Sequence, residues 1–370
     1  MKKKIIFHLG YFKTGSSSLQ RFLANNFSQK TEFNIYYPKT FRINDAHHLL
    51  PISILKTVCP EISTEWGIDK NLVKDYTQNL ENYLNMLIKE IEDNPYGLYV
   101  ISSEFFCDFL HSEIRIRKSE SKLLELLNDI IQKYFSSYSL YGLIYLRRHD
   151  QYIFSMYEEI LKGLQFMTIT DFIKHESYSL STHIYFSGVL NFFKSVFSDN
   201  LFLYIYNKKE NVINSFFQFL HRELKINNLG IEGFLKDINL MNKSFGLESI
   251  NLLLFYNYLN SRLNDLLEGR DITIIKDFLD IISSTYSKEN INNTLSIATD
   301  VISMDLDNLR KNFNVDFGID KFEIVNNIRT SLYLLAEKFF PSFEDLFKMF
   351  FPMKLNLVLK KFRYNFLGNE

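Results

Sequence analysis

Lys4-Ile5-Ile6-Phe7-His8-Leu9-Gly10-Tyr11-Phe12-Lys13-Thr14-Gly15-Ser16-Ser17-Ser18-Leu19-Gln20 is the stretch that decides the fold of this chain. Its first part, Lys4 to Leu9, is a continuous apolar run rather than an alternating one, the pattern of a strand covered on both faces in a parallel sheet. Two glycines, one lysine and the hydroxyls of Thr14, Ser16, Ser17 and Ser18 follow. From Ser16 the spacing of Leu19, Phe22 and Leu23 predicts a helix that ends near Asn26. Strand, glycine turn and helix in that order make a phosphate cradle. Glycine lets the backbone approach an anion, the N–H groups at the helix start point at it, hydroxyls add donors and the lysine adds charge.

Working outward, three more continuous apolar runs read as buried strands: Gly97 to Ser102, Tyr141 to Leu146 and Asn200 to Tyr206. Helical spacing separates them, over Asn71 to Asp93 and over Glu120 to Phe135, where Leu123, Leu124, Leu126, Leu127, Ile130 and Ile131 form the stripe. The alternation predicts an α/β fold with a P-loop-like, doubly wound parallel sheet flanked by helices, and puts the ligand loops at the carboxyl ends of the strands. Four of the 6 prolines (Pro38, Pro51, Pro60, Pro95) fall in the first hundred residues and none between Pro95 and Pro341, so the beginning reads as loop-rich and the rest as mainly helical. Beyond about residue 225 the strand signal fades into helices such as Leu252 to Leu267. The expected division is a nucleotide-binding core over 1–225 and a helical C-terminal region over 226–370, a substrate-binding or interaction module.

The composition bounds what such a protein does. Of 370 residues 46% are hydrophobic and 23% charged, enough for a core and for its covering, which excludes disorder over the whole chain. Lys and Arg number 42 against 43 Asp and Glu. That balance leaves no global basic field for wrapping nucleic acid, so any anion site is local. Cys59 and Cys107 form neither a disulfide framework nor a zinc cluster. The basic start, Met1 to Lys4, leads into an apolar run broken by His8 and Lys13, too short for a signal peptide, and no stretch reaches the roughly 18 apolar residues of a membrane span. The expectation is a cytoplasmic protein. Lys354, Lys360, Lys361 and Arg363, with no acid between Met353 and Arg363, suggest a basic helix end or a peripheral membrane contact.

The lysine's place decides which cradle this is. A Walker A loop ends in Gly-Lys-Ser/Thr, so that the lysine reaches the outer phosphates and the hydroxyl holds magnesium. Here Gly15 precedes Ser16, and Lys13 stands inside the loop, two residues before Gly15. Phe12 to Ser18, with His8-Leu9-Gly10 before it and Leu19-Gln20 after it, resembles the 5'-phosphosulfate loop of the sulfotransferases that use 3'-phosphoadenosine 5'-phosphosulfate (PAPS), in particular their bacterial carbohydrate-type members. A second segment, Leu143 to Tyr157, places Arg147 at the end of a strand and Ser155 eight residues later on a helix whose inward stripe is Ile153, Met156, Tyr157, Ile160 and Leu161. Ser155 lies about 200 degrees around that helix from Ile153, off the stripe and able to face a ligand. The pair is similar to the arginine and serine that bind the 3'-phosphate of PAPS in that family. Arg148 is either a second contact or a salt-bridge former.

The resemblance implies that Lys13 stabilises the bridging oxygen, that Thr14, Gly15, Ser16, Ser17 and Ser18 hold the 5'-phosphate, and that no metal takes part. The base for the acceptor is open between Glu104, in Ser102-Ser103-Glu104 just past a strand end, and His48 in the pair His47-His48. Two departures, Ser18 where the cytosolic small-molecule branch has an aromatic residue and the lack of an Arg-Lys-Gly-x-x-Gly segment, point to carbohydrate-type relatives. The implied activity is sulfuryl transfer to a hydroxyl or amine of a glycan, glycolipid or related acceptor. The alternatives are a P-loop-type kinase or nucleotidyl enzyme, and a non-catalytic nucleotide- or glycan-binding protein of the same fold.

Overall fold

The computed structural model describes residues 2–29, 34–62, 67–110, 119–163, 166–179, 184–207, 211–226 and parts of 250–350. The basic segment Met353 to Arg363 and most of the expected helix Leu252 to Leu267 lie outside them. Five strands form one parallel sheet: β1 Lys4–His8, β2 Ile35–Tyr36, β3 Leu98–Ser102, β4 Ser139–Leu146 and β5 Leu201–Ile205, in the order β2-β3-β1-β4-β5. The four strands read from the sequence are present, and β2 is an addition. It pairs with β3 through Ile35 opposite Leu98 and Tyr36 opposite Tyr99, two residues too few for a period to show.

Alternation along β1 divides the core into two layers. Ile6 joins Val100, Leu143 and Tyr145 against Leu19, Leu23 and Phe27 of α1 (Ser16–Phe27) and against Ile213, Phe216 and Leu220 of α9 (Val212–Arg222). On the opposite face Phe7 meets Phe106, Phe135 and Phe197 with ring centroids 6.1, 5.6 and 5.7 Å away. Burial on both sides is why the strand is apolar throughout, each large side chain contributing about 1.5–3 kcal/mol.

The remaining helices are α2 Leu49–Val58, α3 Lys70–Gln78, α4 Leu80–Asp93, α5 Glu120–Ile130, α6 His149–Lys162, α7 Ile169–Tyr178, α8 Phe186–Phe197, α10 Lys288–Phe313 and α11 Lys321–Phe350. The single helix expected over Asn71 to Asp93 is thus two, parted at Asn79, whose side-chain amide donates to the Asp75 carbonyl and carboxylate. The segment expected as one helix to Phe135 leaves α5 as a π turn, Ile131–Phe135, which buries Tyr134 and Phe135.

The chain forms two compact units. The first is residues 1–148 with 185–242 and holds the sheet; the second is residues 149–184 with 243–370. The expected division at 225 therefore stands beside a grouping in which 149–184 belongs with the C-terminal helices. Within the second unit, His149 and Asp305 are both fully buried and meet at 2.9 Å, joining α6 to α10. The Asn327 amide donates to Asp150 at 3.1 Å and joins α6 to α11. Among the described residues no helix is long and apolar enough to cross a membrane.

Candidate functional site

The candidate residues of the first unit gather where β1, β3 and β4 end. β1 is central, and the chain crosses it on the way from β3 to β4, the kind of topological switch point at whose carboxyl strand ends open α/β sheets take their ligands. The loop leaving β1 turns on three residues at positive φ, Gly10 (62°), Lys13 (61°) and Gly15 (85°). A side chain on Gly10 would put Cβ 2.6 Å from the Glu104 Cα, so glycine there lets the β1 loop touch the backbone after β3. Gly15 is the N-cap of α1, and no side chain caps the helix there; the Ser18 and Leu19 amides turn back to the Gly15 carbonyl, and the Ser16 and Ser17 amides lead the helix. A Cβ on it would meet Val212 at 3.0 Å and Tyr206 at 3.3 Å.

The hydroxyls of this loop divide into two kinds. Thr14 Oγ1 donates to the Tyr11 carbonyl at 2.6 Å and Ser16 Oγ to the same carbonyl at 3.2 Å, and both residues are buried. They brace the turn, so what they offer an anion is the backbone N–H. Ser17 is exposed and Ser18 half-buried, and the Ser18 amide closes the turn on the Gly15 carbonyl at 3.0 Å.

Arg147 leaves β4 and donates from Nη1 to the Lys13 carbonyl at 3.1 Å. Its guanidinium stands over the Tyr206 ring at 5.7 Å. Two segments 134 residues apart are thereby joined, and Tyr206, just beyond β5, fills the space between Arg147 and Gly15. Arg148 is half-buried in the same unit. Ser155 lies on α6 of the second unit, where it is buried at 7% exposure together with Ile153, Met156, Tyr157 and Leu161.

A second cluster follows β3. Glu104 accepts a hydrogen bond from Gln20 Nε2 of α1 at 2.6 Å. Gln20 is 2% exposed, on the buried face that Ser16, Leu19, Leu23 and Phe27 also occupy. His48, at the start of α2, lies with Nδ1 2.9 Å from Ser103 Oγ and with its ring stacked on Phe105 at 4.2 Å. Phe105 in turn touches Phe12, the neighbour of Lys13, at 5.7 Å. Burial lowers the pKa of His48, and the Glu104 carboxylate opposes that in part.

Beneath this cluster two fully buried imidazoles bracket Ser102. His8 Nδ1 is 2.7 Å from Ser102 Oγ, while His47 Nδ1 accepts from the Ser102 amide at 3.1 Å and its Nε2 donates to the Pro38 carbonyl at 2.9 Å. Burial holds each of them down to about 3. Cys107 donates its S–H to the Gly10 carbonyl at 2.8 Å, and burial pushes that thiol well up. Among the described residues no three His, Cys, Asp or Glu side chains group to hold a metal ion.

Sequence reasoning missed Gln20 and Tyr206. The signal for Gln20 was an amide inside an apolar helix stripe, and for Tyr206 an aromatic ring closing a strand run. No protein-family model, no curated protein and no solved structure matches the chain.

Proposed function

We propose that this chain is a PAPS-dependent sulfotransferase, with a P-loop-like core, acting on a hydroxyl or amine of a glycan, glycolipid or related acceptor. The observation that carries the reading is the hydrogen bond from Arg147 to the Lys13 carbonyl, because within the first unit it joins the loop that resembles the family's 5'-phosphosulfate loop to the arginine that resembles its 3'-phosphate ligand. The strand order, with β1 central and its loop opening α1, is the arrangement a P-loop-like core requires. The residues present fit a bis-anionic nucleotide. Lys13 and Arg147 supply positive charge, and the uncapped amides at the start of α1 supply donors. Ser155, in the second unit, carries no part of this reading.

The donor brings the sulfuryl group. Transfer forms an S–O or S–N bond to the acceptor, breaks the S–O bond to the 5'-phosphate, and leaves the acceptor proton for a base of this chain. Lys13 meets the negative charge that develops on the leaving phosphate, and the Glu104 carboxylate, held by Gln20, takes the proton. The glycan character of the acceptor rests on the family resemblance.

The test is a thermal-shift series with adenosine 3',5'-bisphosphate (PAP), PAPS, ATP and GTP, each with and without magnesium. At a hundred times its dissociation constant a ligand stabilises by about 2.7 kcal/mol, so PAP is expected to raise the midpoint by several degrees without magnesium. Stabilisation by ATP with magnesium and none by PAP overturns the reading in favour of a kinase. Lys13→Ala is expected to lower transfer to a competent acceptor about 100- to 1,000-fold while the protein stays folded.

A further inference from the structure

His48 and Ser103 settle a question of protons that the family resemblance leaves open. Ser103 is fully buried, and among the described residues its Oγ has two hydrogen-bonding neighbours: the Phe105 amide, which donates to it at 3.2 Å, and His48 Nδ1 at 2.9 Å. An amide nitrogen carries no lone pair for hydrogen bonding, so the Ser103 hydroxyl proton has one place to go, the imidazole Nδ1. A buried hydroxyl that withheld its proton would forgo a bond worth about 1 kcal/mol and add the cost of burying an unmet donor. His48 Nδ1 is therefore an acceptor.

Burial keeps the imidazole neutral at neutral pH, since its pKa is lowered. A neutral ring with Nδ1 accepting carries its one hydrogen on Nε2. The stacking on Phe105 fixes the ring plane, and Phe105 against Phe12 places the ring one aromatic layer from the Lys13 loop. We propose that His48 serves this site as an Nε2–H donor that recognises an oxygen acceptor on the substrate, a hydroxyl or carbonyl oxygen, and does not serve as its base. Of the two candidate bases that leaves Glu104, a carboxylate with one oxygen bound by Gln20. The substrate half of the inference rests on the sulfotransferase reading; the tautomer stands without it.

Long-range proton–nitrogen correlation spectra of uniformly 15N-labelled protein at pH 7 read the tautomer directly, with His48 assigned by the signals that vanish in His48→Gln. His47 is the internal reference, since a ring whose Nε2 donates to a carbonyl must be the Nε2–H form. The expected result is the same pattern for His48, with loss of the preference in Ser103→Ala. An Nδ1–H pattern or an imidazolium at pH 7 overturns the proposal whether or not PAP binds, whereas an Nε2–H pattern in a protein that PAP fails to stabilise overturns the sulfotransferase reading alone. If His48→Gln does not fold, Ser103→Ala supplies the assignment.

Release of PAP from PAPS tests the role. Glutamine still offers an N–H near the Nε2 position and glutamate does not, so His48→Gln is expected to keep activity within about threefold and His48→Glu to lose about tenfold or more, one hydrogen bond's worth. Full activity in His48→Glu, where a base replaces a donor, overturns the assignment.

Discussion

Where β1 ends the chain is shaped by its own backbone, with Gly10, Lys13 and Gly15 all at positive φ and Thr14 and Ser16 folded back onto the Tyr11 carbonyl. Where β3 ends, Ser102, Ser103 and Glu104 are shaped by side chains that come from elsewhere: His8 of β1, His47 and His48 ahead of α2, and Gln20 of α1. The two loops touch at Gly10 and Glu104, yet one is a conformational object and the other a hydrogen-bonded one. The first is written in a dozen consecutive residues. The second exists only when distant segments meet.

Acid should break the second loop most severely. His8 and His47 are held down to about 3 when folded and titrate near 6.5 when unfolded, so below that pH the unfolded chain binds the extra protons and stability falls. The expected loss is about 2 kcal/mol per imidazole by pH 5, with little change above about pH 7. Urea unfolding at stepped pH measures it, and equal stability at pH 7 and pH 5 would contradict it.

Next in size is Gly10→Ala, which combines left-handed strain with a backbone collision at 2.6 Å. A loss of about 2–4 kcal/mol is expected in the same assay. Gly67→Ala is the control, because Gly67 has φ of 79° and nothing within 4 Å of its missing Cβ. It should lose only about 1–2 kcal/mol; equal losses at the two glycines would remove the collision from the account.

Gln20→Ala should cost about 1 kcal/mol, the bond it makes to Glu104. A double-mutant cycle with Glu104→Ala checks that value, and strict additivity would deny the coupling. Smallest is the contrast within the β1 loop. Thr14→Val removes the bond to Tyr11 and should cost about 1 kcal/mol, whereas Ser17→Ala, on an exposed hydroxyl, should change unfolding by less than about 0.5 kcal/mol.

This contrast also explains what was legible. Lys4 to Gln20 yielded strand, turn and helix because each depends on neighbours in sequence. The apolar runs ending at Ser102, Leu146 and Tyr206 yielded three more strands by the same route, and the ends of β1, β3 and β4 as the place to look. β2 escaped because it is two residues long, and the break at Asn79 because apolar spacing continues across it. Glu104 could be suspected from its place after a strand, but its partner Gln20 lies 84 residues away and no local pattern links them. The hydroxyls of Thr14 and Ser16 were expected to face a ligand; their inward turn depends on the left-handed Lys13, a conformation composition does not announce.

The closeness of Gly15 to Val212 and Tyr206 has a consequence for the order in which the protein is made. The β1 loop leaves the ribosome well before the wall behind it, which belongs to Tyr206 after β5 and to Val212 of α9 and follows the excursion of residues 149–184 into the second unit. Leu19, Leu23 and Phe27 of α1 find Ile213 and Phe216 only then. A nascent chain halted before residue 185 therefore carries the β1 loop on a helix whose apolar face is bare, the kind of surface that holdase chaperones capture. Pairings this far apart in sequence also form slowly, so the wall behind the β1 loop is acquired late.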